Sequence, residues 1–233
     1  MNGLAEELND NINTIWATHF ADDPQPLSPR YLLPITQKSV LFVGMNPSFD
    51  EGKIRTKFRE EGNLREPRDH FLWPAYWKSY NLSHELEANE RVKREYRKFF
   101  ELHWNIIEVL GVETWEHLDV FPIRESKQKK LMALLKSNPR LRSELLQVFR
   151  RALQGYQPKL VLVFNAAAAH IIHEEYDLGF REDLGCHEIS SPEFSALVFA
   201  SSMLTGQRKV DTFSKQRLIW HIKKVFNGLT ANE

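Results

Sequence analysis

Cysteine is nearly missing from this chain of 233 residues, Cys186 being its single example. One thiol excludes an internal disulfide, and it cannot supply the several thiolates of an iron–sulfur cluster or a Cys-rich zinc site. Net charge is missing too: 31 Lys and Arg stand against 31 Asp and Glu. That balance argues against strong, indiscriminate attraction to nucleic acid and leaves room only for a local basic patch. No long hydrophobic run exists. The most apolar stretch, residues 160–169, is too short to span a bilayer, and the opening MNGLAEELND is acidic where a secretory signal is basic and then apolar. The expectation is a cytoplasmic chain with no membrane partner. Repeats, heptads and low-complexity tracts are also missing, while 42% hydrophobic and 27% charged residues are ordinary globular usage.

What is present reads as alternating strands and helices. Four short runs, Ser39 to Val43, His117 to Ile123, Leu160 to Phe164 and Ala196 to Ala200, are rich in Val, Leu and Phe without period-two alternation. That is the pattern of strands buried on both faces, hence of a parallel sheet joined by right-handed crossovers. Helical periodicity fills the intervals: Leu4 to Phe20, Glu85 to Gly111 with Gly111 as C-cap, Lys129 to Gln154 with a break near Asn138-Pro139, a run of alanines from Ala166, and a closing helix from about Ser214. The predicted fold class is α/β, a three-layer α/β/α domain on a central four-stranded parallel sheet. Residues 1–38 are read as a helix and proline-rich arm packed on the core. Residues 39–233 are read as the domain itself, with a helical insert at about 49–111.

Open α/β sheets place ligands at the carboxyl ends of their strands. The first strand runs into Gly44-Met45-Asn46-Pro47-Ser48, where glycine permits a tight turn and Asn-Pro fixes the next step. Asn46 is thereby positioned to touch a substrate or orient a water, or else to satisfy neighbouring backbone. The last strand ends in Ala200-Ser201-Ser202-Met203-Leu204-Thr205-Gly206-Gln207-Arg208-Lys209, whose hydroxyls, amides and trailing cations form a candidate grip on phosphate.

VLFVGMNPS resembles the first signature of the uracil-DNA glycosylase-like superfamily, a strand ending in Gly-x-Asp/Asn-Pro, in the asparagine form of its mismatch-specific branch. SSMLTGQR is similar to the second signature, with Ser202, Leu204, Thr205 and Arg208 in matching places. FNAAAAHII resembles the superfamily's third strand-to-helix junction. The resemblance covers about Ser39 to Phe226 and implies a parallel sheet in the order 2-1-3-4, no cofactor, a DNA partner, and hydrolysis of the N-glycosidic bond of uracil or a related damaged or mismatched base. Three positions depart from the uracil-specific branch, one of them Ser201 in place of a proline. Ala200 stands where that branch has a catalytic histidine, and Asn46 where it has an aspartate; an amide can position water but cannot act as a base at neutral pH.

On this reading Asn46 orients water, and Asp119 in the second strand is the carboxylate candidate. Substrate contacts fall to Gly44, Met45, Pro47, Ser48, Phe49, Phe71, Asn165 and Ser202, with Phe49 and Phe71 as stacking rings and Asn165 as an amide reading a base edge. DNA contacts fall to Ser201, Thr205, Arg208, Lys209 and Arg124, with Lys127, Lys129, Lys130 and Lys215 adding cations after strand ends. Each has a plainer alternative: HFLWPAYW around Phe71 as core, Asp119 and Arg124 as an ion pair, Asn165 as a satisfied strand-end residue. His170, His173 and Glu174 do not match the spacing of the helical zinc motif, and Cys186-His187 are adjacent residues that point apart, so no metal and no thiol nucleophile is expected. A monomer is expected. Two further functions stay open: a non-catalytic DNA- or base-binding module, and hydrolysis of a free nucleoside or nucleotide.

Overall fold

The computed structural model describes residues 3–95, 97–201 and 211–230. In chain order the elements are α1 (Gly3–His19), β1 (Val40–Gly44), α2 (Glu51–Glu60), α3 (Pro67–His70), α4 (Ala75–Lys78), α5 (Leu82–Glu95), α6 (Arg97–Leu110), β2 (Trp115–Asp119), α7 (Gln128–Ser137), α8 (Pro139–Tyr156), β3 (Leu160–Val163), α9 (Ala166–Tyr176), β4 (Gly179–Arg181), β5 (Cys186–Ser190), β6 (Ser195–Ala200) and α10 (Thr212–Thr230). They divide into two compact units. The first is drawn from Met1–Ile35, Asn46–Glu87 and Asp119–Ala152, the second from Thr36–Met45, Ala88–Leu118 and Leu153–Glu233.

The second unit holds the sheet, in the order β2-β1-β3-β6-β5-β4. Parallel pairing aligns Val40 with Leu160 and Leu197, and Phe42 with Leu162 and Phe199. These side chains share one face and meet Phe100, Ile106, Ile107 and Leu110 of α6 and Ile222, Val225 and Phe226 of α10. Leu41, Val43, Val161, Val163 and Val198 point to the other face and are buried as well, which is why these strands carry no polar alternation.

The fold is α/β as expected, but the sheet has six strands and not four. The two additions, β4 and β5, are antiparallel to their neighbours. Their sequences, GFR and CHEIS, are short; β4 is the edge of the sheet, where charge deters further pairing, and β5, between β6 and β4, buries Cys186 and Ile189. Arg181 Nη1 on β4 lies 3.3 Å from Glu188 on β5. The turn between them requires glycine: Gly185 has φ 66°, and a Cβ there would lie 3.0 Å from the His221 ring of α10. The expected second strand also shifts, from His117–Ile123 to Trp115–Asp119, because Pro122 cannot donate to a ladder.

In the first unit, Asn138 marks the expected break. Its N–H closes α7 on Leu134 O at 3.0 Å, and its Oδ1 accepts from Leu141 N at 3.1 Å to cap α8. Pro139 follows at the first helical position, where its missing donor costs nothing. Among the described residues no helix is long and apolar enough to cross a membrane.

Two outcomes test this packing. Truncating the fully buried Ile106 to Ala should cost about 2–5 kcal/mol in urea denaturation. Burial pushes the Cys186 thiol up to about 11, so a thiol reagent at pH 8 should label the native protein far more slowly than the unfolded chain.

Candidate functional site

Asn46 follows β1 by two residues, and its amide nitrogen is fully engaged. Nδ2 donates to Pro47 O at 3.2 Å, Ile123 O at 3.1 Å and Glu125 O at 2.6 Å. All three partners are carbonyls, which can only accept, so the orientation of the amide is determined. The remaining lone pairs belong to Oδ1, which is thereby held as an aimed acceptor.

The two loops that Asn46 joins are bonded along their length. Glu125 N donates to Pro47 O at 3.1 Å, Ser48 and Ser126 hydroxyls lie 3.3 Å apart, and Ser126 Oγ accepts from Phe49 N at 3.1 Å while donating to Phe49 O. Phe49 is buried as a result. Of the two readings of Asn46, the hydrogen bonds show the plainer one: its nitrogen satisfies neighbouring backbone, and its oxygen is left as an acceptor.

Phe49 leads into an aromatic cluster. Its ring meets Phe71 edge-on at 6.0 Å, and Phe71 in turn meets Tyr76 at 5.1 Å. Tyr31 lies 4.7 Å from Trp77 and 5.1 Å from Tyr80. Arg124 enters this cluster and does not lie open as a phosphate contact would: its guanidinium sits 4.3 Å over the Phe71 ring and Nε donates to Ser28 O at 3.1 Å. That is its one hydrogen bond among the described residues, and it leaves the two Nη groups as unspent donors. The HFLWPAYW segment is therefore mostly packing, and one face of Phe71 is already covered.

Electrostatics follow from this burial. Desolvation lowers the Arg124 pKa, opposed by Tyr76 and Glu85 nearby. Burial likewise lowers that of His70, whose Nδ1 has no partner among the described residues. The phenols of Tyr31 and Tyr80 are pushed up to about 12 by burial, and Tyr76 is raised by burial and by the Glu85 carboxylate that accepts its O–H. At neutral pH the cluster thus holds a guanidinium and the Glu85 carboxylate among protonated phenols, of which Tyr76 donates to Glu85 and Tyr31 to Asn13 Oδ1.

Asp119 does not pair with Arg124. Its Oδ2 accepts from Arg30 Nη1 at 3.1 Å, with the carboxylate 6% exposed. Arg30 N in addition donates to Pro122 O at 2.8 Å, so the arm and the segment after β2 are tied twice.

Asn46, Pro47, Ser48, Phe49, Phe71, Asp119 and Arg124 all belong to the first unit. Gly44, Met45, Asn165 and Ser201 belong to the second. There Gly44 ends β1, Met45 is buried, and Ser201 N extends β6 by donating to Val163 O at 2.9 Å. Asn165 is the N-cap of α9, its Oδ1 accepting from Ala167 N at 3.0 Å and Ala168 N at 3.2 Å. That capping leaves Nδ2 as the atom able to meet a base edge. Ser202, Thr205, Arg208 and Lys209 lie outside the described residues.

Ser126, Arg30, Ser28, Tyr31 and Glu85 were not anticipated. The Asn46 acceptors are backbone oxygens, which leave no mark in sequence; Ser126, one hydroxyl in a polar loop, carries a weak one. Compared with known proteins, the sequence matches no protein-family model and no curated protein.

The raised phenols give a pH prediction. A free tyrosine titrates near 10, so between pH ~10 and ~12 the unfolded chain loses protons that native Tyr31 and Tyr80 keep. The stability they contribute is complete below pH ~10 and is lost as pH rises toward ~12. The urea midpoint should fall across that window; a constant midpoint would contradict the burial described.

Proposed function

We propose that this chain hydrolyses the N-glycosidic bond of a damaged or mismatched base in DNA, uracil or a relative of it, as a divergent member of the uracil-DNA glycosylase-like superfamily. The observation that carries the reading is the Asn46 amide, fixed by three carbonyls beyond the first strand so that only Oδ1 is free to accept. The order of the four expected strands, β2-β1-β3-β6, supports it, being the order that the resemblance implies. The reading includes the three-layer α/β/α arrangement and a cytoplasmic protein.

Chemically, water oxygen bonds to C1′ of the sugar as the C1′–N bond breaks and its electron pair leaves on the base. The water's proton passes to the base or to solvent. Positive charge grows on the sugar and negative charge on the base, so an oriented water and donors near the base lower the barrier. Asn46 Oδ1 accepts one hydrogen of the water and orients it without removing a proton. The unspent Nη donors of Arg124, backed by Phe71, meet an oxygen of the departing base. Exposed Lys127, Lys129 and Lys130, which follow directly on the Glu125 that anchors Asn46, contact phosphate.

A second reading rests on the Arg30–Asp119 pair, which gives the one candidate carboxylate a partner. With Ala200 in the second motif, that favours a module that binds a base and does not cleave.

Oligonucleotides carrying uracil, hypoxanthine or mismatched thymine, as duplexes and single strands, would be incubated with the protein and scored for alkali-labile sites. The reading expects cleavage that falls at least about 100-fold in Asn46→Ala and by a similar factor in Arg124→Met, both variants retaining a cooperative melt. Undiminished cleavage in Asn46→Ala contradicts the mechanism, and binding without any product supports the module.

A further inference from the structure

Helix α10 buries Ile222, Val225 and Phe226 against the sheet. Its outer face is unusual in composition: Phe213 is 82% exposed and Trp220 60% exposed, and Arg217 and Lys224 stand beside them. The four residues fall at i, i+4, i+7 and i+11, a single stripe of about 16 Å at 1.5 Å per residue. Lys224 Nζ lies 5.4 Å over the Trp220 ring, and exposed Lys223 borders the stripe.

The helix, TFSKQRLIWHIKKVFNGLT, contains no acidic residue, in a chain whose net charge is zero. Asp211, the carboxylate just ahead of it, is occupied in capping: its Oδ1 accepts from Phe213 N and Ser214 N, each at 3.0 Å. With Arg217, Lys223 and Lys224 and no carboxylate on the helix itself, the stripe is a local excess of positive charge, and an anionic partner complements it.

We propose that the outer face of α10 binds a single-stranded segment of nucleic acid, bases stacking on Trp220 and Phe213 and phosphates meeting Arg217 and Lys224. Choosing DNA as the strand rests on the function proposed above. Stacking needs an accessible base face, which a duplex hides and a single strand presents, and aromatic rings interleaved with cations are how proteins hold single strands without reading sequence. A partner helix would require a continuous apolar seam; here each ring is flanked by a cation. Insertion into a membrane surface would require the apolar face of the helix, and α10 has spent that face on the core.

The test measures fluorescence anisotropy of a labelled oligo-dT 20-mer with the full chain across a salt series. Wild type should bind. Trp220→Ala and Phe213→Ala should each weaken binding about 10-fold, and the Arg217→Ala/Lys224→Ala pair should reduce the salt slope by about 1.4, at ~0.7 per phosphate neutralised. All four positions face solvent, so melts should match wild type. Variants that bind oligo-dT like wild type overturn the proposal. So does loss of binding to phosphatidylglycerol vesicles or to an acidic peptide in variants whose oligo-dT binding is unchanged. Base cleavage separates the two claims: stripe-dependent binding without cleavage keeps this inference and sinks the glycosylase, and Asn46-dependent cleavage with stripe-independent binding does the reverse.

Discussion

One side-chain amide organises the first unit's loops. The two hydrogens of Asn46 Nδ2 are shared among three carbonyl oxygens, two of them contributed by Ile123 and Glu125 some 77 and 79 residues along the chain. A buried or half-buried carbonyl without a donor costs about 1–3 kcal/mol. Any residue at position 46 without an N–H to give would take this donor from the Ile123 and Glu125 carbonyls, while Pro47 O keeps Glu125 N. Glutamine has the donor but is longer by one methylene, and aspartate would set a carboxylate against oxygen. The positions of Phe49 and Ser126, and through them the aromatic cluster, depend on the loops staying joined.

The cluster faces an opposing cost. A desolvated guanidinium is expensive to hold, and Arg124 has a ring face, one carbonyl and the nearby phenols and Glu85 as compensation. The tyrosines remain protonated well past neutrality for the same reason that Arg124 is strained: burial penalises whichever form is charged. Two of the phenol donors are spent inside the cluster, Tyr76 on Glu85 and Tyr31 on Asn13 Oδ1. Aspartate 119 stands apart from this, neutralised by Arg30.

Legibility in the sequence divided along a physical line. The sheet core was readable because strands such as VLFVG and LVLV, buried on both faces, are nearly pure hydrophobic runs, and the α7–α8 break was readable because Asn-Pro has few backbone options. Strands β4 and β5 were not: the edge strand β4 is three residues long and carries a charge, and β5 mixes His, Glu and Ser with its two buried residues, so both look like loops. At the site, Asn46 was visible as a rigid polar position beyond a strand. Its carbonyl partners were not, because backbone atoms have no letter. Arg124 was visible as a cation after a strand, and its burial over Phe71 was not, because that depends on a contact between residues far apart in sequence. Asn165 shows the same limit in milder form: the alanine run announced a helix, yet it did not show that Asn165 caps it through Oδ1.

The most direct measurement is exchange of the Asn46 side-chain amide hydrogens with solvent, followed by NMR and assigned by their loss in Asn46→Asp. If Nδ2 is held by Pro47, Ile123 and Glu125 as described, both hydrogens should exchange far more slowly than those of a free asparagine side chain. Exchange at the free rate would contradict the clamp, and with it the aimed Oδ1 on which the proposed chemistry depends.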